Sequence, residues 1–262
     1  MSDKETVTPI VTYEQPLSER MRVFLRLESL FSAARSCAGL QSEWASRAAI
    51  EYLNEIAKLL GRTELKQEII RELEKHRARL THLQGNPDVD DARLLGLLSQ
   101  LETLVEGTHE VRGQIGHELR RNEFLTQVRQ RSHAPGGARD FDMPGFHFWL
   151  SRPAAERQKN INQWLEFTRL QEKAIAMILH LLRQSSQAKE VAAKRGSFRQ
   201  NLEGQQSCEL IRVSMDAALS CYPEISGSRH RISVRFMDWQ GDEQRPVQTD
   251  DDVPFLLCCC GS

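Results

Sequence analysis

The chain has 262 residues, of which 27% are charged and 40% hydrophobic. This is the composition of an ordinary globular protein, and it excludes collagen-like, disordered and disulfide-framework classes. The length allows one large domain or two smaller ones, and typical domain sizes favour two. The 35 basic and 36 acidic residues give a net charge of -1. Wholesale coating of nucleic acid is therefore not expected, and any electrostatic function must come from local clusters.

No segment has the pattern of a membrane span or a secretory signal. The longest apolar stretches, such as residues 174–182, are too short to cross a bilayer, and the N-terminus lacks a basic start followed by an apolar run. We therefore expect a cytoplasmic protein that does not contact membranes.

The first half of the chain shows helical periodicity. We predict a flexible tail over residues 1–14, a helical domain over 15–195 and a β domain over 196–262. After Ser18, which can cap a first helix, apolar residues recur every three or four positions, and the opposite face carries Arg20, Arg22 and Arg26. Further helices are predicted over 42–60, 63–83 and 91–106. The last two form a hairpin, which can either pack into a bundle or pair with its copy in a second subunit.

The middle of the chain contains a helix-breaking sequence. A helix predicted over 115–130 is followed by a loop at Pro135, Gly136 and Gly137. Asp142 is placed to cap a short helix with Pro144 in its first turn, and Ser151 with Pro153 can open the next helix. A last long helix is predicted over 170–194.

From Gly196 onward the pattern changes to strict alternation of apolar and polar residues. Residues 208–216 and 231–239 read as half-buried strands, and residues 253–260 can add another. A small antiparallel sheet of three or four strands after the helices predicts an α+β fold: an N-terminal helical bundle domain followed by a small antiparallel β domain.

Six cysteines occur, three of them adjacent at Cys258, Cys259 and Cys260. The spacing fits neither a disulfide scaffold nor paired zinc knuckles, so we predict reduced thiols. Adjacent residues of a strand point to alternate faces, so the three cysteines cannot all bind one metal ion. We expect no metal site.

Familiar catalytic motifs are missing from the sequence. It contains no phosphate-binding loop, no dinucleotide fingerprint, no zinc-protease motif and no nucleophile elbow. Gly113 and Gly116 fit no phosphate cradle, and no second catalytic group is placed near His147 to make it a general base. We predict a non-enzymatic protein without a cofactor.

Basic residues concentrate between residues 120 and 139, and Glu123 is the single acidic residue of this stretch. The cluster consists of Arg120, Arg121, Arg129, Arg131, His133 and Arg139. Arginine holds carboxylates and phosphates in bidentate geometry, which indicates an anion-binding surface. The alternative is a helix face whose arginines pair with acids elsewhere in the chain.

A second basic cluster lies along a predicted strand. Arg229, Arg231, Ser233 and Arg235 alternate with apolar residues and so share one strand face. Such a face meets water or an anionic partner. Nucleic acid is the rival ligand, but no aromatic residues interleave these arginines and the segment from Gly196 is net acidic, which favours a protein partner with carboxylates.

The same segments carry a family resemblance. They are the opening YEQPLSERMRVFLRLE, the block VRQRSHAPGG followed by FDMPGFHFWL, the run YPEISGSRHRISVRFM, and a cysteine-rich C-terminus. From about Tyr13 onward the chain resembles the ZapD family of bacterial division proteins. The resemblance implies a dimeric cytoplasmic protein with a helical and a β domain, which binds the C-terminal tail of the tubulin-like GTPase FtsZ and bundles its protofilaments at midcell.

The resemblance also implies which residues bind that tail. The family uses basic residues of a groove between its domains, and the matching positions here are Arg26, His147, Arg231 and Arg235, with Arg22 and Arg131 as further candidates. The family's helix before VRQR can hold a tail-binding arginine where this chain has Glu123. Either Arg120 or Arg121 takes over that contact, or the contact is absent.

Overall fold

A computed structural model describes residues 9–132, 142–202, 208–228, 231–241 and 244–261. The helices of these ranges are α1 (Glu19–Ala38), α2 (Glu43–Leu60), α3 (Leu65–Thr81), α4 (Asp91–Glu110), α5 (His117–Arg121), α6 (Glu123–Ser132), α7 (Pro144–Leu150), α8 (Ala154–Glu166) and α9 (Arg169–Arg183). The strands are β1 (Ile10–Pro16), β2 (Lys189–Ala193), β3 (Ser197–Asn201), β4 (Cys208–Asp216), β5 (Cys221–Gly227), β6 (Arg231–Asp238), β7 (Val247–Gln248) and β8 (Val253–Gly261). Helices dominate the first part and antiparallel sheets the second, so the predicted α+β class is confirmed.

The chain divides into two compact units. One spans residues 23–179, and the other combines residues 1–22 with residues 180–262. We call them the helical unit and the β unit. The division differs from the predicted boundaries at residues 14/15 and 195/196, because segments on both sides of the helices join the sheets.

Capping residues set several helix ends, and the sequence predicts the one at Ser18. The Ser18 hydroxyl accepts a hydrogen bond from the Met21 amide at 3.2 Å, and Ser42 caps α2, which ends at Gly61. α3 and α4 pack against each other as the predicted hairpin, with the Asp90 carboxylate accepting from the Arg93 amide at the start of α4. Side-chain oxygens satisfy amides that have no partner within the first helical turn, which explains why these residue types begin helices.

Several helix predictions are wrong in detail. The helix predicted over 115–130 is broken at Asn122, whose backbone is extended and whose side chain instead caps α6 at the Leu125 amide. Asp142 does not cap α7, because Met143 occupies the N-cap position without a side-chain bond and Pro144 follows in the first turn. Ser151 ends α7 rather than opening α8, which begins after Pro153.

The helix predicted over 170–194 ends at Arg183, and Lys189–Ala193 is a strand. Lys, Glu and Ala favour helices, but β2 pairs antiparallel with β8 and buries Ala193 completely. Tertiary pairing therefore outweighs local propensity. A similar correction applies to the predicted tail, because Ile10–Pro16 pairs antiparallel with β4 over its whole length.

The described residues of the β unit form two antiparallel sheets rather than one small sheet. In the first, the strand order is β1-β4-β8-β2, and in the second it is β3-β6-β5, with β7 also paired to β6. One apolar cluster includes Ile211 and Val213 of the first sheet and Val234 and Phe236 of the second. Phe255 of β8 lies 5.1 Å from Phe236 between ring centroids. The two sheets thus share a core in the manner of a β-sandwich.

The prediction of six reduced cysteines is wrong for two of them. Cys208 and Cys259 form a disulfide, with their Cα atoms 5.5 Å apart. The bond is possible because β4 and β8 are neighbours, which spacing along the chain does not reveal. Cys258 and Cys260 are buried free thiols with their sulfur atoms 3.5 Å apart, so the adjacent cysteines do divide between different surroundings as alternation requires.

Candidate functional site

The outer face of β6 carries the basic residues that the sequence singles out. Ile232, Val234 and Phe236 are fully buried, whereas Arg231 and Arg235 are exposed and Ser233 is half-buried. The alternation follows the period of two in a pleated strand, so the buried residues hold the strand while the arginines face outward.

The strands beside β6 extend this basic surface. Arg199 of β3 and Ser226 of β5 both lie opposite Ser233, and Asn201 lies opposite Arg231. Directly opposite residues share a face with Cβ atoms about 5 Å apart, and diagonal neighbours lie about 7–8 Å apart. Arg199 is diagonal to both Arg231 and Arg235, so the three arginines surround Ser233. We call the surface formed by Arg199, Arg231 and Arg235 the arginine face.

One carboxylate balances this charge among the described residues of the face. The Arg235 guanidinium donates to Glu224 at 2.7 Å, with side chains 57% and 46% exposed. Exposed ion pairs contribute little, about 0–1 kcal/mol, so a ligand carboxylate can compete for Arg235 at small cost. Arg199 and Arg231 make no side-chain hydrogen bond or ion pair with any residue that the structure describes. The arginine face therefore keeps donors available for an anion.

The arginine face includes a residue that the sequence analysis missed. Arg199 lies in SFRQN, where Phe198 packs toward the apolar core and Arg199 is exposed. Alternation in this five-residue segment was a weak signal for a strand. The position of Arg199 opposite Ser233 depends on the pairing of β3 with β6, which periodicity does not show.

The remaining candidates lie on helices. Arg26 and His147 are exposed, on α1 and α7 of the helical unit. Arg22 is exposed one turn before Arg26 on α1, with its guanidinium 3.5 Å from Glu19. A weak ion pair of this kind leaves Arg22 available to a partner.

The Arg120–Arg139 cluster divides between different roles. Arg120 is half-buried and donates to the Gln114 side-chain oxygen at 2.8 Å, and a Cβ placed on Gly61 would lie 2.8 Å from its guanidinium. Arg120 therefore packs against the end of α2, and its partner is an amide oxygen rather than the carboxylate that the alternative interpretation requires. Arg121 is exposed, so of these two neighbours it is the one accessible to a ligand.

Arg131 lines a cleft of about 430 Å³ in the helical unit, together with Asp142 and the aromatic rings of Phe124 and Phe146. Arg129 donates to the Thr126 hydroxyl at 3.3 Å within α6. Other residues of the predicted clusters lie outside the described residues: His133, Pro135, Gly136, Gly137, Arg139 and Arg229.

Metal-ligand clusters and membrane-spanning helices are two features that bear on the class of site. In the part of the chain that the structure describes, no group of three or more His, Cys, Asp or Glu side chains is arranged to hold a metal ion. Over the same ranges, no helix combines the length and apolarity required to cross a membrane.

Comparison with known proteins decides the family. The model of the ZapD family, described as a cell division protein, matches residues 25–235. The chain belongs to the ZapD family. The cell division protein ZapD of Methylococcus capsulatus is 40% identical over 250 residues, covering 95% of this chain and 98% of the relative. That of Cupriavidus pinatubonensis is 36% identical over 252 residues, covering 96% and 99%.

Membership in the ZapD family supports a role in cell division. The matched region contains residues 25–38 of α1, all of α7 and residues 231–235 of β6, and therefore includes Arg26, His147, Arg231 and Arg235. Arg199 lies within it as well.

Proposed function

We propose that this chain is a cytoplasmic, non-enzymatic division factor that binds the C-terminal tail of FtsZ and, as a homodimer, crosslinks FtsZ protofilaments at midcell. Family membership supports the role in division. The observation that carries the binding proposal is the arginine face, which presents three exposed arginines against one exposed carboxylate.

The arginine face suits carboxylates on an extended peptide. Guanidinium groups donate in a planar fork that matches a carboxylate, and charge-assisted hydrogen bonds are worth roughly 1.5–3 kcal/mol each when water is excluded. The hydroxyls of Ser226 and Ser233 lie in the same row as Arg199, where they can donate further hydrogen bonds to the peptide. A segment with two carboxylates would engage Arg199 and Arg231 and could take Arg235 from Glu224.

Residues on the helices supply further candidates for the tail. Arg26, His147 and Arg22 are exposed on α1 and α7, and Arg121 and Arg131 are exposed on α5 and α6. Arg120 is the weakest candidate, because its guanidinium is engaged with Gln114 and packed against Gly61. Each is tested by its own alanine variant.

Crosslinking follows from two copies of the site. A symmetric dimer presents the same surface twice, so it can hold tails from two filaments. Each site need bind only on the order of micromolar, because a filament presents many tails and linked sites gain avidity without new contacts.

The test combines binding with a matched control. In Arg231→Ala/Arg235→Ala the protein should lose co-sedimentation with FtsZ filaments, while size-exclusion chromatography with light scattering shows an unchanged dimer. Arg169→Ala serves as control, because Arg169 is 56% exposed and ion-paired to Glu166 much as Arg235 is to Glu224. Bundling that persists in the double variant would overturn the assignment of this surface.

The rival function, nucleic-acid binding, makes a different prediction. It requires retention of the wild-type protein on duplex DNA with an affinity that falls steeply as salt is raised. A gel-shift titration at two salt concentrations, run beside co-sedimentation with FtsZ, separates the two. DNA retention without response to FtsZ would replace our proposal with the rival.

A further inference from the structure

An apolar cleft opens at the ends of β5 and β6. It has a volume of about 270 Å³ and is lined by Leu219, Ser220, Cys221, Tyr222 and Trp239. The Trp239 side chain is 61% exposed and that of Leu219 is 37% exposed. We call it the tryptophan cleft. An exposed indole beside an open apolar cavity loses little conformational freedom on binding and offers a large contact area, which is why tryptophan is enriched among binding hot spots.

The tryptophan cleft continues the arginine face along the same strands. The Arg235–Glu224 pair is followed, two residues further along β6, by Met237 opposite Tyr222. Because the side-chain period is two, Met237 and Tyr222 lie on the same outer face as Arg235. The outer surface is therefore cationic at Arg235 and apolar at the next pair of outward-facing residues, Met237 and Tyr222. The tryptophan cleft lies directly beyond that pair.

This order of charge and apolarity selects one kind of ligand. We infer that the tryptophan cleft is the apolar subsite for the partner segment whose carboxylates bind the arginine face. The inference rests on the proposed function and names a second part of the same binding surface. The occupant is an extended peptide segment with a large aliphatic or aromatic side chain a few residues away from its carboxylates.

The strand geometry gives the spacing of that segment. Arg235 and Trp239 are four residues apart, which corresponds to about 14 Å at the rise of an extended chain. An extended peptide covers the same span with about four residues. Peptide binding is favoured over an oligonucleotide, because the described part of this face has its apolar groups at one end and none alternating with the arginines, as a series of stacked bases would require.

The test uses a fluorescently labelled peptide of the FtsZ C-terminal tail and full-length protein. Fluorescence anisotropy should show that Trp239→Ala weakens binding about tenfold or more, since hot-spot tryptophans contribute on that scale. Leu219→Ala should weaken binding less, and Trp239→Phe should restore most of the affinity. Trp44→Ala is the matched control, because Trp44 is 77% exposed in the helical unit, and it should bind as wild type does.

The outcomes separate this inference from the proposed function. If wild-type protein does not bind the tail peptide, the proposed function itself fails. Should wild type bind and Trp239→Ala bind equally well, the cleft is not a subsite and the proposed function stands. An equal loss in Trp239→Ala and Trp44→Ala would also overturn the inference, as would a labelled oligonucleotide that competes with the peptide and depends on Trp239.

A second measurement tests the spacing directly. Peptides of constant composition should bind best when about four residues separate the carboxylate from the apolar side chain, and moving that side chain by three positions should remove the dependence on Trp239. Affinity that depends on composition alone would contradict the proposed geometry.

Discussion

Buried and exposed arginines have different roles in this chain: a buried arginine joins elements, and an exposed one is available to a partner. Arg157 is 4% exposed and donates to the Ser46 hydroxyl at 3.0 Å, the Leu150 carbonyl at 3.0 Å and the Gln41 carbonyl at 2.6 Å. It therefore joins α8 to the residues around the start of α2 and the end of α7. Arg231, by contrast, is exposed and directs its charge outward.

Replacing Arg157 should damage stability rather than binding. Arg157→Met removes the donor to the Ser46 hydroxyl and to the buried Leu150 carbonyl, so we expect a loss of about 3 kcal/mol in the free energy of unfolding. Urea unfolding followed by circular dichroism measures this loss. The exposed Arg169→Met variant should change stability by less than about 0.5 kcal/mol, and a similarly small change for Arg157→Met would contradict the role assigned to it.

Glu14 provides a prediction about pH. Its carboxylate accepts hydrogen bonds from Arg183 at 2.8 Å and from Arg212 at 2.9 Å. Burial acts to raise the pKa of Glu14, but these bonds and charges together outweigh it and lower the pKa below its ordinary value. The folded state thus prefers the ionised carboxylate, and this stabilisation is complete above the ordinary pKa and lost as pH falls through the lowered one.

Glu14→Gln should consequently destabilise the protein at neutral pH, by about 1.5–3 kcal/mol. The difference from wild type should shrink as the solution is acidified and vanish below the lowered pKa. Chemical unfolding at a series of pH values tests this. A difference that is independent of pH would show that the carboxylate charge is not the cause.

At the scale of elements, the last strand is held on two sides. The disulfide links Cys259 of β8 to Cys208 at the start of β4, while the Cys258 thiol donates to the Ser186 carbonyl at 3.3 Å. Burial, together with the hydrogen bond to Cys258, raises the pKa of Cys260 to about 12. Cys260 is therefore a packed thiol rather than a reactive one.

The disulfide should be detectable and stabilising. Peptide mapping without reductant should recover a fragment linking Cys208 to Cys259, and the Cys208→Ser/Cys259→Ser variant should lose about 2–4 kcal/mol, because the bond closes a loop of 51 residues. Thermal unfolding compares the variant with Cys37→Ser, which alters a free cysteine. Recovery of both cysteines as free thiols from protein prepared without reductant would contradict the pairing.

At the scale of the whole molecule, the proposed crosslinking predicts a concentration dependence that simple binding lacks. A dimer with two tail sites joins filaments best when the number of sites matches the number of tails. When the dimer is in excess, each tail binds a separate dimer and fewer filaments are joined. Light scattering of FtsZ filaments should thus rise and then fall as the protein is added. A plateau that persists at high excess would indicate bundling without bivalent crosslinks.

Local properties of the chain were readable from the sequence by itself. The α+β class, the cap at Ser18, and the alternation that buries Val234 and exposes Arg235 all follow from periods and side-chain chemistry within one element. The family was readable as well, because its motifs are contiguous. These features need no knowledge of which segments become neighbours.

Tertiary structure alone decided the remainder. Residues 189–193 are helix formers that become a strand beside β8, Cys208 meets Cys259 across neighbouring strands, and Arg199 joins the arginine face through its register opposite Ser233. The tryptophan cleft likewise forms where the start of β5 lies beside the end of β6. Each depends on pairing between distant segments, whose free energy comes from shared burial and backbone hydrogen bonds, and the periodicity of a segment does not identify its partner.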